Sequence, residues 1–469
     1  MTPEAGAAAH RHTVEAEALK RVRPDAALLA RVAEVREHLD ARAREMAASR
    51  RFPVVRSLVA GSAARGTFLK DRIDLDFFLL FSPDVSRAEL ERMGLEMGAA
   101  LLTDPETRYA EHPYRRGTFE GFTVDVVPGY AIEDPGHPLT AVDRTPFHNE
   151  YLRARQTPEM VDQVRLAKQF LRGLGVYGSE ARRGGFSGYL VELLLLRFGT
   201  LDALLEDARS WRMPVRFLSR PGAAARVPED VALVLDDPVD ADRNVATALS
   251  RRNLGLFILA AGEFLDRPSE RAFEPLIPEP MRRDDAERQV ERRRTHITCL
   301  TLSRPPAVDD ILYPQLRKAE RAVADEATRL GFNVLGTSSA AGEGEVVVLT
   351  EVAQKELAGV RVQEGPPAGI DRTGDFLTKW SDPARPVLQG PYLTSEGRLA
   401  VDVERDERRI EPLLTATLGR LPIGKDLRDR ITPTTQFVPL SETSESPHLD
   451  DALGDLLAKG LPWLPRPSS

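Results

Sequence analysis

Apolar positions recur at helical spacing over residues 26–46, where Leu28, Leu29, Val32, Val35, Leu39 and Ala43 mark one face of an amphipathic helix. The period then changes. Ile73, Leu75 and Phe77 alternate with Asp74 and Asp76, so a strand here sends both acids to one face and the apolar side chains to the other. A second β-rich run, Phe122-Thr123-Val124-Asp125-Val126-Val127, carries one acid among apolar neighbours. Between them, Ser82-Pro83-Asp84 marks the start of a helix over 87–102, and 109–130 supplies two more strands. These elements predict a small mixed sheet flanked by helices, closing near residue 150.

The next stretch reads as helical. Pro158 opens a helix over 159–174, with Met160, Val164, Ala167 and Leu171 on one side and Arg165, Lys168 and Arg172 on another. Residues 190–198 are nearly all apolar and 253–264 largely so, and both read as buried helices. Prolines 268, 275, 278 and 280, followed by the run RRDDAERQVERRR, break the composition. They predict a connection leading into a helix or strand. A strong helix over 310–330 follows, then strands at 332–335 and 346–352 around a flexible turn at 338–344. Further strands are expected at 357–362 and 399–403, and the acidic, serine-rich 441–451 as a loose link to a final short helix. The fold class expected is α+β and multidomain. It comprises a palm-like first domain (1–150), a helical middle domain (151–266), a connection (267–304) and an α/β C-terminal domain with a tail (305–469).

At 469 residues the chain is too long for one ordinary core. Its 42% hydrophobic and 29% charged content is that of a soluble globular protein. A formal charge of −8 argues against a general basic coat but leaves room for a local positive field. Such a field is expected over 151–220, where twelve Lys/Arg face seven Asp/Glu, and the Arg165–Lys168–Arg172 row is read as a functional face within it. Most cations are arginine, with eight lysines in all. The single Cys299 leaves no internal disulfide and no thiolate cluster, which fits a cytoplasmic protein. No stretch reaches about 18 consecutive apolar residues, so no membrane span is expected. The first twenty residues hold no signal core, and His10 and His12 are expected in a frayed tail rather than a metal site.

Candidate chemistry concentrates in VAGSAARGTFLKDRIDLDFFLLF, residues 59–81. Gly61-Ser62 allows a sharp turn into a short helical segment whose first amides can face an anion. Asp74 and Asp76, side by side on an apolar strand, repel one another and call for a cation. Asp125 is available as a third carboxylate. Hard oxygen donors of this kind suit Mg²⁺, and three of them can hold two ions roughly 4 Å apart. A phosphate cradle followed by a two-carboxylate strand is the layout of metal-assisted phosphoryl transfer.

The motif GS-x-x-R-x-T-x-L followed by D-L-D-x-F resembles the signature of the DNA polymerase β-like nucleotidyltransferases. The stretches YAEHPYRRGTFEGFTVDVVPGY, AVDRTPFHNEYL and VYGSEARRGGFSGYLVELL are similar to one branch of it, the archaeal-type (class I) CCA-adding enzymes. The similarity covers residues 58–264 and resumes at DDILYPQLRKAERAV, 309–323. The resemblance implies template-independent addition of C, C and A to the 3′ end of tRNA from CTP and ATP. It also implies two Mg²⁺ ions held by Asp74, Asp76 and Asp125. Gly61 and Ser62 with Arg65 would then meet the triphosphate, Thr145 and His148 the nucleotide sugar, and Lys168 and Tyr177 the triphosphate from the helical side. Arg243 would read the incoming base. A homodimer is a candidate assembly. Other nucleotidyl transfer on the same core, polyadenylating or drug-modifying, and an inactive RNA-binding protein remain the alternatives. The chain departs from the family pattern at Gly129, where cysteine is frequent, and at Gln363, where histidine is.

Overall fold

The structure, a computed structural model, describes residues 3–109, 112–218, 231–276 and 279–464, with side chains from residue 8 onwards. Ala110, Glu111, Arg220 and Pro278 of the stretches above lie outside the described residues. Two compact units emerge, residues 1–277 with 460–469, and residues 278–459.

The first unit begins with α1 (Pro3–Val22) and α2 (Ala26–Arg50). The frayed tail expected at the start is therefore helix. Val14, Ala18 and Val22 recur every four residues and are buried, and α1 packs against helices of the middle region rather than waving free. Next come β1 (Val54–Ala60), the one-turn α3 (Gly61–Arg65), β2 (Asp74–Phe81) and α4 (Arg87–Leu101). The start of α4 is set by a capping box between Ser86 and Glu89, two residues beyond the Ser-Pro-Asp marker. β3 (Thr103–Tyr109), β4 (Pro113–Phe119) and β5 (Phe122–Tyr130) complete a five-stranded sheet. β3 was not expected as a strand; TDPETRY has no alternating apolar face, and it forms the sheet's edge.

The sheet order is β1-β2-β5-β4-β3, with β2 and β5 parallel and the other pairs antiparallel. Alternation divides its two faces. Leu75, Phe77, Leu79, Phe81, Val124 and Val126 pack on Val35 and Leu39 of α2 and on Leu90 and Met97 of α4. Asp74, Asp76 and Asp125 therefore emerge on the opposite face, half-buried near the starts of β2 and β5.

The rest of the unit is mainly helical. It comprises α5 (Thr145–Arg153), α6 (Pro158–Gly173), α7 (Gly188–Phe198), α8 (Leu201–Ala208) and α9 (Arg251–Asp266), with the short pair β6 (Val215–Phe217) and β7 (Leu233–Leu235). Phe170, Phe186, Phe257 and Phe264 meet edge-on or tilted at its centre. Each such side chain contributes about 1.5–3 kcal/mol by leaving water.

The second unit opens inside the stretch expected as a connection. Residues there form α10 (Arg283–Arg293) and β8 (His296–Ser303), and β8 is a central strand carrying the buried Cys299. α11 (Asp309–Leu330) leads to β9 (Val334–Ala341) and β10 (Glu345–Val352), which with β8 and β14 (Phe437–Pro439) give the sheet order β14-β8-β10-β9. β9 runs through most of the turn predicted at 338–344. A second sheet, β11-β13-β12, uses β11 (Val360–Pro367), β12 (Val387–Leu393) and β13 (Arg398–Glu404), with α12 (Thr373–Trp380) between the first two in sequence. α13 (Ile410–Thr417), α14 (Lys425–Arg428), β14 (Phe437–Pro439) and α15 (Pro447–Leu457) close the unit. α15 begins within the expected loose link. Ser446 caps it, and Leu449, Leu453 and Leu456 bury it.

Candidate active site

Parallel pairing of β2 with β5 sets Asp76 directly beside Asp125, and Ala60 of β1 lies across from Asp76 on the other side. The chain then turns at Gly61 with φ +67°. A Cβ on Gly61 would stand 2.2 Å from Asp76 Oδ2, so only glycine lets the start of α3 approach the carboxylates this closely. Gly61 thus adjoins Asp76, with Ser62 next in α3. Burial, then the charges of Asp125 and Asp74, push Asp76 up to about 7. Burial likewise pushes Asp125 up to about 6, against the pull of Arg116.

Arg116 of β4 is the direct cross-strand partner of Asp125. Its guanidinium donates to Asp125 Oδ2 at 3.0 Å and Oδ1 at 3.3 Å, and to Asp74 Oδ1 at 2.7 Å. It bridges the two carboxylates. Among the described residues, a set of three potential ligands whose atoms all lie within 4.8 Å of one another is His12, Glu15 and Asp202, on α1 and α8. The three aspartates are not such a set. Their donors still fit a divalent ion: they are hard oxygens gathered on one face of the sheet, and a side-chain cation, Arg116, already stands between two of them.

Two further clusters lie in the helical part. At the first, Glu192 of α7 is 1% exposed. It accepts from Arg65 Nε at 2.6 Å and Nη2 at 3.0 Å, from Thr67 Oγ1 at 2.9 Å, from Gln156 Nε2 at 3.0 Å and from Lys168 Nζ at 3.3 Å. Arg65 Nη1 also donates to Asn149 Oδ1 at 2.9 Å. Burial would raise the Glu192 carboxyl, but the Lys168 and Arg65 charges and the hydrogen bonds from Arg65 and Thr67 carry it down to about 2. A Cβ on Gly188, at the start of α7, would stand 3.2 Å from the Tyr177 hydroxyl and 4.0 Å from Lys168 Nζ.

The basic row on α6 also has contacts within the fold. Arg165 donates to the carbonyls of Gly66 and Phe68, Lys168 to the Thr67 carbonyl at 3.0 Å, and Arg172 to both oxygens of Asp71 at 3.0 and 2.8 Å. The row clamps the loop after α3, and Arg165 and Lys168 are buried. Helical spacing placed the three on one side; it carried no information about the loop opposite.

At the second cluster, the buried Asp237 accepts from Tyr189 Oη at 3.0 Å and Arg243 Nη1 at 2.6 Å, and pairs with His148 Nε2 at 2.9 Å. The His148 and Tyr189 rings stack with centroids 4.2 Å apart. Burial raises Asp237, yet the His148 contact, the Val239 amide and Arg243 bring it down to about 2. Thr145 opens α5 one turn before His148 and is half-buried. Sequence reasoning missed Arg116, Asn149, Tyr189, Glu192 and Asp237. Only Glu192 left a signal, as a lone acid in a run otherwise read as buried.

Three family models match the chain in succession: a nucleotidyltransferase domain over 45–148, the second domain of tRNA nucleotidyltransferase over 162–274, and the C-terminal domain of CCA-adding enzyme over 293–438. The CCA-adding enzyme of Halorubrum lacusprofundi is 40% identical over 423 residues, covering 87% of this chain and 90% of that one. That of Thermoplasma volcanium is 34% identical, covering 90% and 93%. That of Archaeoglobus fulgidus is 35% identical, covering 88% and 92%.

Proposed function

This chain belongs to the CCA-adding enzymes, and from that premise we propose that Asp74, Asp76 and Asp125 form the catalytic centre of its tRNA nucleotidyltransferase activity. The enzyme adds C, C and A to the tRNA 3′ end without a nucleic-acid template. In each step the RNA 3′-hydroxyl oxygen bonds to the α-phosphorus of CTP or ATP, the bond to the β-phosphate bridge breaks, and pyrophosphate leaves. The single observation that carries this assignment is the Asp76–Asp125 pairing beside Gly61. Two Mg²⁺ bound by the three aspartates would polarise the hydroxyl and neutralise charge on the departing pyrophosphate.

The chain's own residues then divide the remaining work. Arg65 and Lys168 share one carboxylate, Glu192, so that cluster holds two cations against one anion. Its surplus positive charge attracts the triphosphate, with Ser62 and Tyr177 as further donors to it. Thr145 and His148 orient the sugar, and Arg243, tethered by Asp237, reads the base. A pocket that leaves polar groups unpaired against the wrong base discriminates strongly, which replaces a template. Residues 1–150 act as the catalytic domain, 151–266 complete the nucleotide pocket, and the C-terminal part holds tRNA. Among the described residues no helix is long and apolar enough to cross a membrane. The cytoplasm, where tRNA is matured, is the assigned compartment.

The test uses tRNA transcripts ending before CCA, incubated with each nucleoside triphosphate separately and together and resolved to one nucleotide. Two additions with CTP alone and a third only when ATP is present are expected. Extension far beyond three residues, or labelling of an aminoglycoside in place of tRNA, would select another nucleotidyl transfer.

A further inference from the structure

Arg116 stands between two carboxylate partners on the same face of the sheet. On one side its register partner is Asp125 of β5; on the other it is Glu106 of β3. Residues directly opposite in antiparallel pairs share a face and lie within side-chain reach. In this structure the guanidinium is turned toward the active site, bridging Asp125 and Asp74. Glu106 is exposed and accepts from Arg108 at 2.7 Å. Arg116 is thus the cation that Asp74 and Asp125 meet in this structure, at 2.7 and 3.0 Å.

We infer that Arg116 is a positioning residue with two stations. It neutralises Asp74 and Asp125 while the enzyme holds no divalent ion, and it swings across β4 to Glu106 when ions load. The inference rests on the reading that the aspartates bind divalent ions. A guanidinium and a metal ion on the same carboxylates repel one another and draw on the same oxygen lone pairs, so each weakens the other's hold. The arginine therefore competes with loading, and the strength of Glu106 as its second station sets how hard it competes. The fork of donors matters as well as the charge, because one ammonium cannot bridge both carboxylates bidentately.

The experiment titrates full-length protein with Mn²⁺ alone, with no nucleotide or tRNA, and reads free Mn²⁺ by electron paramagnetic resonance. Arg116→Gln removes the competitor and should tighten binding about tenfold, the equivalent of one charge-assisted hydrogen bond. Arg116→Lys should fall between Gln and wild type, and it serves if Gln proves poorly folded. Glu106→Gln should weaken binding several-fold in the Arg116 background and change nothing in the Arg116→Gln background. A simple loss of negative charge would instead weaken binding equally in both. Unchanged or weaker binding by Arg116→Gln and Arg116→Lys, or equal effects of Glu106→Gln in the two backgrounds, would overturn the inference. Asp76→Asn separates the two claims: if it binds Mn²⁺ as wild type does, the metal assignment itself falls.

Discussion

Asp76 lies with one carboxylate oxygen against the Gly61 turn and beside Asp125, and burial with those charges carries it up to about 7. An acid raised on folding adds stability that is complete below its unfolded value near 3.8 and is lost as pH rises through about 7. Metal-free wild type should therefore melt lower at pH 8 than at pH 5 from this group, by on the order of 2–4 kcal/mol. Asp76→Asn should remove most of that slope, and saturating Mg²⁺ should reduce it in wild type. Melting curves at the two pH values check this; equal slopes in wild type and variant would contradict it. Glu192 and Asp237 act in the opposite sense. Each is lowered to about 2, so the stability they add is held above the ordinary carboxylate range and lost as pH falls toward 2. At Gly61, a methyl group would meet Asp76 Oδ2 and force the positive φ on an L side chain. Gly61→Ala should cut nucleotide addition at least about a hundredfold, a few kcal/mol of misplacement at the reacting centre, with tRNA binding retained in a filter assay.

At the level of elements, α6 and α7 hold the loop after α3 through Glu192 and the basic row. Glu192→Ala would leave Arg65 and Lys168 buried without their carboxylate, a loss of about 3–5 kcal/mol. A large drop in melting temperature, together with a raised KM for CTP, is the expected result. The elements that position the aspartates were legible because alternation in 73–77 and 122–127 has one interpretation: acids on one face, core on the other. The edge strand β3 was not, since both of its faces are largely exposed. Nor was α1, whose four-residue spacing of Val14, Ala18 and Val22 is short and alanine-diluted. The basic row of α6 was seen as a row, but its partners lie about a hundred residues earlier in the chain. Glu192 and Asp237 share that reason: each gathers groups from separate segments, and sequence spacing cannot express such a meeting.

The whole chain carries a net charge of −8 yet acts on tRNA, a polyanion. Binding must come from local contacts to phosphate and shape, and each neutralised phosphate steepens the dependence on salt. The affinity for tRNA should fall more than about tenfold between 50 and 200 mM salt, as read by filter binding. A flat response would place recognition in uncharged contacts. The motif around residues 59–81 announces nucleotidyl transfer, and the longer block beyond it announces tRNA. Both readings meet at one place on the sheet, where Asp76 faces Asp125. Incorporation of CMP into a tRNA transcript by Asp76→Ala with saturating Mg²⁺ tests that place most directly. The account predicts a loss on the order of 10³-fold or more with tRNA affinity near wild type; incorporation at the wild-type rate would contradict it.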